Sequence, residues 1–112
     1  MHRKLRIGVM GAADCDPKAL ALAEEVGRLI AEKEAILICG GGGGTMEAAS
    51  KGASIAGGLV VGILPTEDEK SANPYVEIPI VTGLGNARNA INALTSNSLI
   101  AIMGGAGTLS EI

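Results

Sequence analysis

An α/β domain built on a mainly parallel sheet is what this sequence predicts, and three observations carry that expectation. Five short apolar runs recur along the chain and alternate with stretches of helical periodicity. The runs are nearly continuous in apolar residues rather than alternating, as strands covered on both faces are. Glycines gather just beyond several of them, where a strand must turn into a helix. At 112 residues there is room for one domain and not for two.

The first strand covers about Leu5 to Met10 and ends at Gly11. Asp16 then starts a helix: its carboxylate can accept from free N–H groups, and Pro17 at the first helical position gives up no hydrogen bond. This helix runs to about Lys33, with Leu20, Ala23, Gly27 and Ile30 on one stripe and Leu22, Val26 and Leu29 beside it. Glu24, Glu25, Arg28 and Glu32 make its outer face. Ala35–Cys39 is the second strand, and Gly40 to Gly44 follow without a break. Thr45 is expected to cap a second helix that ends near Ala56 at Gly57-Gly58.

Leu59–Leu64 is the third strand, closed by Pro65, and TEDEKSANP after it reads as a surface loop. Val76–Val81 is a fourth strand, weak or at an edge because Pro79 lacks a ladder donor. A third helix, about Asn86–Asn97, is expected to bury Ala87, Ile91 and Leu94. Leu99–Met103 is the fifth strand, and GGAGT turns it toward a fourth helix near Thr108. With right-handed crossovers these elements give a three-layer Rossmann-like domain over residues 1–112, the order of the fourth and fifth strands being left open. One turn after Thr108 the chain reaches Ile112, too short a piece to hold itself helical. A C-terminal part of the domain is therefore expected to be missing.

Composition narrows the function. Hydrophobic residues are 47% of the chain, which excludes disorder. The core must be aliphatic, since Tyr75 is the only aromatic residue. A net charge of −3, with no basic stripe and no stacking aromatics, speaks against nucleic acid. No apolar run approaches the roughly 18 residues a bilayer span requires. The basic start MHRK leads straight into a strand with no cleavage site, and two cysteines make no disulfide framework. A cytoplasmic protein is the expectation.

In open α/β sheets, ligands bind beyond the carboxyl ends of the strands. Three loops belong to that edge: Gly11–Asp16, Gly40–Thr45 and Gly104–Thr108. A glycine-rich turn feeding a helix N-terminus presents unpaired N–H groups and the positive end of a dipole, which suits a phosphate. Glycines also simply permit tight turns, but five in succession exceed that need. The P-loop pattern is absent because no Lys follows either glycine run, and the dinucleotide fingerprint is absent after the first strand.

Arg88 stands in the first turn of its helix, where a cation opposes the dipole, and so suggests an anionic partner; a solvated Arg beside Asn89 and Asn92 is the alternative. Glu111 completes a T-x-x-E capping box with Thr108, and could equally act on a sugar. His2 is the only histidine, so neither a His triad nor a metal site is expected, even if Cys15 and Cys39 approach each other. The Asp14, Asp16 and Glu47 carboxylates could bind a hydrated cation, but capping and dipole roles explain Asp16 and Glu47 more simply.

GGAGTLSE at 104–111 resembles the PGGxGTxxE signature of the "lonely guy" phosphoribohydrolases, a superfamily once misnamed lysine decarboxylases. CGGGGGTMEAASKGA at 39–53 resembles the same superfamily's glycine turn, and Arg88 stands at the spacing of its arginine. The run from Gly83 to Ile112 is most similar to a small bacterial and archaeal branch related to molybdenum cofactor carrier proteins. The resemblance implies that Gly104, Gly105, Gly107 and Thr108 hold a 5′-phosphate, with Gly11, Gly41, Gly42, Gly43, Gly44 and Thr45 lining the site. Arg88 and Glu111 would be the catalytic pair cleaving the N-glycosidic bond of a nucleoside monophosphate. A non-catalytic carrier or sensor of a phosphorylated pterin or signalling nucleotide is the alternative. Met103 in place of the signature Pro, and Asn89 in place of the Lys after the Arg, depart from the pattern. No resident cofactor or metal is implied, no lysine is marked for decarboxylation, and homodimers or larger assemblies are expected.

Overall fold

The computed structural model describes residues 3–11 and 16–102. Strand β1 (Arg6–Gly11) leads through helix α1 (Pro17–Glu32) to β2 (Ile36–Cys39), then through α2 (Thr45–Ile55) to β3 (Val60–Leu64). A loop carrying a 3₁₀ turn at Glu69–Ser71 leads to β4 (Ile78–Val81). A second 3₁₀ turn, Gly85–Ala87, runs into α3 (Arg88–Thr95), and β5 (Ser98–Ile102) ends the described chain. All strand pairings are parallel, in the order β4-β3-β2-β1-β5. β4 is an edge strand, which tolerates Pro79, and β5 lies at the other edge beside β1.

Two packed clusters show the three layers. Val9, Leu37, Cys39, Val60 and Ile102 point to one face and meet Ala19, Ala23, Ile30, Ala49 and Ala53 of α1 and α2. Ile38, Val61 and Ile63 point to the other, where Ile91 of α3 packs against them. That second face is the thinner one: Ile78 and Ile80 flank α3 on one side and Leu99 on the other, each nearly half exposed. Asp16 caps α1 as expected, its Oδ1 accepting from Ala19 N at 2.8 Å.

With no large aromatic side chain to fill space, α1 and α2 close on each other backbone to backbone. A Cβ on Gly27 would fall on the Ala49 carbonyl, and one on Gly52 on the Glu24 carbonyl. Ala23, Gly27 and Ile30 are buried as expected, but Leu22 and Leu29, expected beside that stripe, are exposed, because the close glycine contact turns Ala19 and Ala31 inward in their place.

The α3 expectation needs the larger correction. Its helix proper is shorter than expected, and Ala87 and Leu94 are exposed while Asn92 is buried at 2% exposure. Arg88 and Asn92, four residues apart, share the inward face, Arg88 at the ends of β2 and β3 and Asn92 over Gly8 of β1. Among the described residues no helix is long and apolar enough to cross a membrane.

The α1–α2 contact yields a direct test. Gly27→Ala must push the two helix backbones apart and should destabilise the protein by about 1–3 kcal/mol or more, read as a lowered midpoint in urea. An unchanged midpoint would show that the helices do not approach this closely.

Candidate functional site

The strand order reverses between β1 and β5: the chain steps outward from β1 to β4 and then returns to the far side of β1. The last pair in that register is Gly11 with Ile102, so both segments leave the sheet side by side at the carboxyl edge. This switch point is where open α/β sheets form their crevice. Gly104, Gly105, Gly107, Thr108 and Glu111, like Asp14, Cys15 and His2, lie outside the described residues.

The glycine turn after β2 forms the described wall of that edge. Gly41 and Gly44 have φ of +78° and +64°, values that side chains with a Cβ rarely adopt. Among the described residues, a Cβ on Gly43 would meet nothing within 4 Å.

Three consecutive carbonyls of this turn are taken up by protein donors. Gly40 O accepts from Arg88 Nη1 at 2.7 Å, and the same nitrogen donates to Ile63 O at 2.9 Å. Gly41 O accepts from the main-chain N of Asn73 at 2.7 Å. Gly42 O accepts from Asn73 Nδ2 at 2.9 Å. In a trans peptide the C=O and the following N–H point in opposite directions. The Gly40–Gly41 peptide obeys this: while Gly40 O faces Arg88, Gly41 N–H turns the other way to Cys39 Sγ at 3.3 Å.

A buried polar cluster backs the turn. Ser50 Oγ donates to Met46 O at 2.7 Å, lies 3.5 Å from Cys39 Sγ, and is reached by Asn73 Nδ2 at 3.4 Å. Burial pushes the Cys39 thiol up from its ordinary value of 9.0; Ser50, Gly41 N–H and the Arg88 charge pull the other way by less. Among the described residues no group of three or more His, Cys, Asp or Glu could hold a metal ion.

One expected site residue takes another position. Gly44, not Thr45, is the N-cap of α2, and as a glycine it has no side chain to cap that end. Thr45 is the first helical residue, fully buried, with its side chain packed on the Cα of Gly11. The reason is the positive φ of Gly44, which swings the chain into the helix one residue earlier. Arg88 does come to the carboxyl edge, on the ends of β2 and β3. Both Nη1 protons there bind carbonyls, so the guanidinium braces the two strands. Glu47 lies in the first turn of α2, where its charge suits the dipole.

Asn73 and Ser50 were not singled out by the sequence. Asn73 sits inside a stretch whose polar composition reads as a surface loop, yet it is 7% exposed. Its Asn-Pro pair marks a turn, and Tyr75 N does close that turn on Asn73 Oδ1 at 3.0 Å, but nothing in such a motif says which way the amide points.

Residues 4–112 match the model of the SLOG cluster4 family. An uncharacterised protein of Archaeoglobus fulgidus is 50% identical over 96% of this chain and 71% of its own length. The molybdenum cofactor binding protein of the phototrophic bacterium Rippkaea orientalis superposes with a TM-score of 0.93 at 49% identity, over 99% of this chain and 69% of that one. The molybdenum cofactor carrier protein of Chlamydomonas reinhardtii gives 0.85 at 49% identity, over 96% and 68%.

The site makes two predictions. Arg88→Ala strands the Gly40 and Ile63 carbonyls and should cost about 1–3 kcal/mol of stability in chemical denaturation; no loss would remove the bracing role. For Cys39, the folded state holds the proton more tightly than the unfolded chain does. Stability from this group is therefore complete below the unfolded thiol value and falls as pH rises through and beyond 9.0. In a Cys15→Ser background, Cys39 should resist thiol reagents at pH 8 until the protein unfolds, and rapid labelling of folded protein would contradict this.

Proposed function

The chain belongs to the SLOG cluster4 family, and on that premise we propose that it is a non-catalytic carrier whose cargo is a phosphorylated pterin of the molybdenum cofactor type. The observation that carries this reading is the glycine turn: its carbonyls at Gly40, Gly41 and Gly42 are held by Arg88 and Asn73. An anionic oxygen approaching a glycine backbone is repelled by carbonyls and attracted by amides, so a turn with its carbonyls withdrawn fits a phosphate. The N-terminus of α2, whose cap residue is the glycine Gly44, adds the positive end of a dipole, and the Arg88 guanidinium adds a full charge behind Gly40.

The two molybdenum cofactor proteins, each 49% identical to this chain, support the same cargo class. In this reading Gly41–Gly44 and Gly11 line the cleft, and the segment Gly104–Thr108 supplies the facing phosphate turn. Binding and shielding are what the chain's residues do; no bond of the cargo is broken. A phosphoribohydrolase needs Arg88 to address the substrate together with Glu111. The use of Arg88 Nη1 as a brace for β2 and β3 supports the carrier instead. Assembly into homodimers or larger oligomers belongs to the same proposal.

The test pairs two ligands. Molybdenum cofactor added at about a hundred times its dissociation constant should stabilise the protein by about 2.7 kcal/mol, read as a raised melting temperature. AMP incubated with the protein should yield no adenine. Release of adenine and ribose 5-phosphate would replace the carrier with the hydrolase, and absence of any cofactor-induced shift would remove the carrier.

A further inference from the structure

We propose that Asn73 is the positioning residue of the anion site: it orients the Gly42 and Gly43 amides outward by holding the carbonyls of Gly41 and Gly42. The inference deepens the carrier reading and rests on it for the identity of the cargo, but not for the geometry.

Asn73 reaches the turn from the loop between β3 and β4, thirty-one residues along the chain from Gly42. Its main-chain N–H takes Gly41 O at 2.7 Å, and its side-chain Nδ2 takes Gly42 O at 2.9 Å. Each carbonyl belongs to a peptide whose N–H is on the next residue and points the opposite way. Gly42 N–H and Gly43 N–H therefore both face away from Asn73. Neither donates a hydrogen bond among the described residues. Among the described residues, a Cβ on Gly43 would meet nothing within 4 Å, and one on Gly42 only the Met46 side chain. Two successive amides turned away from every described partner form a concavity suited to one anionic oxygen.

The amide side chain is itself held. Tyr75 N donates to Asn73 Oδ1 at 3.0 Å, which fixes Nδ2 on the Gly42 side, and Nδ2 also reaches Ser50 Oγ at 3.4 Å. The residue is 7% exposed, so water does not compete for these bonds. A carboxylate has no proton for Gly42 O. With Asp at 73, the Gly42–Gly43 peptide is repelled in its present orientation and attracted in the flipped one, which turns Gly43 N–H inward and a carbonyl outward. Ala at 73 removes the side-chain hold without that bias, and the main-chain bond to Gly41 persists in both variants.

The experiment is a titration of the ¹⁵N-labelled full chain with inorganic phosphate, followed by amide shifts, with melting temperatures measured alongside. In the wild type, the Gly42 and Gly43 amides should move together and saturably. Asn73→Asp should weaken phosphate binding by about tenfold or more, the scale of one lost bond to a charged acceptor, and Asn73→Ala by less. A merely structural role predicts instead that binding tracks melting temperature in both variants, with no distinction between Asp and Ala at equal stability. Glycine amides that stay still in the wild type overturn the inference even if no variant folds, and so does Asn73→Asp binding phosphate as the wild type does. Phosphate-responsive glycine amides in a protein that ignores the molybdenum cofactor would retire the carrier reading and leave the role of Asn73 standing.

Discussion

The structure depends on where three carbonyl groups go. A run of five glycines has no side chains to define its conformation and a large conformational entropy to lose, so its shape must be imposed from outside. The imposition comes from two residues distant in sequence, Arg88 on α3 and Asn73 on the β3–β4 loop, which between them take the carbonyls of Gly40, Gly41 and Gly42. Cys39 takes the remaining inward amide, that of Gly41. What faces outward is then a consequence of peptide planarity rather than of any further contact. The same two residues tie the turn to β3 and to the loop that follows it, linking the ligand edge to the middle of the sheet.

This division of labour explains why the second face of the sheet is so lightly built. α3 contributes one apolar residue, Ile91, to the packing over β2 and β3, and gives its inward stripe to Arg88 and Asn92. On the first face, α1 and α2 compensate for an aliphatic, aromatic-poor composition by bringing their backbones together at Gly27 and Gly52. Close approach of helices raises the number of dispersion contacts per residue when side chains are small. Apolar packing is thus concentrated on the α1–α2 side, while the turn is held by Arg88 from the α3 side and by Asn73 beside Ser50 of α2.

Much of this was legible in the sequence, and the reasons are local. Continuous apolar runs and Asp16-Pro17 place the strands and the first helix because hydrophobic burial and capping act over a few residues. Pro79 marks β4 as an edge strand because it lacks a donor. The sequence also brings Arg88 to the right edge. It misplaces the cap of α2, since only backbone geometry distinguishes Gly44 from Thr45. It misjudges α3, since an amphipathic count assigns Leu94 inward and Asn92 outward, whereas the helix is turned so that Arg88 and Asn92 face the sheet. Asn73 is missed altogether, because its partners are some thirty residues away and composition alone makes its loop look solvated.

The account stands on amides of the glycine turn being the groups that meet the cargo. A crystal structure of the protein with bound molybdenum cofactor measures this most directly. The account predicts phosphate oxygens about 2.7–3.2 Å from the main-chain nitrogens of Gly42 and Gly43, with Arg88 and Asn73 still on their carbonyls. Cofactor density away from this turn, or a turn whose carbonyls face the phosphate, would contradict it.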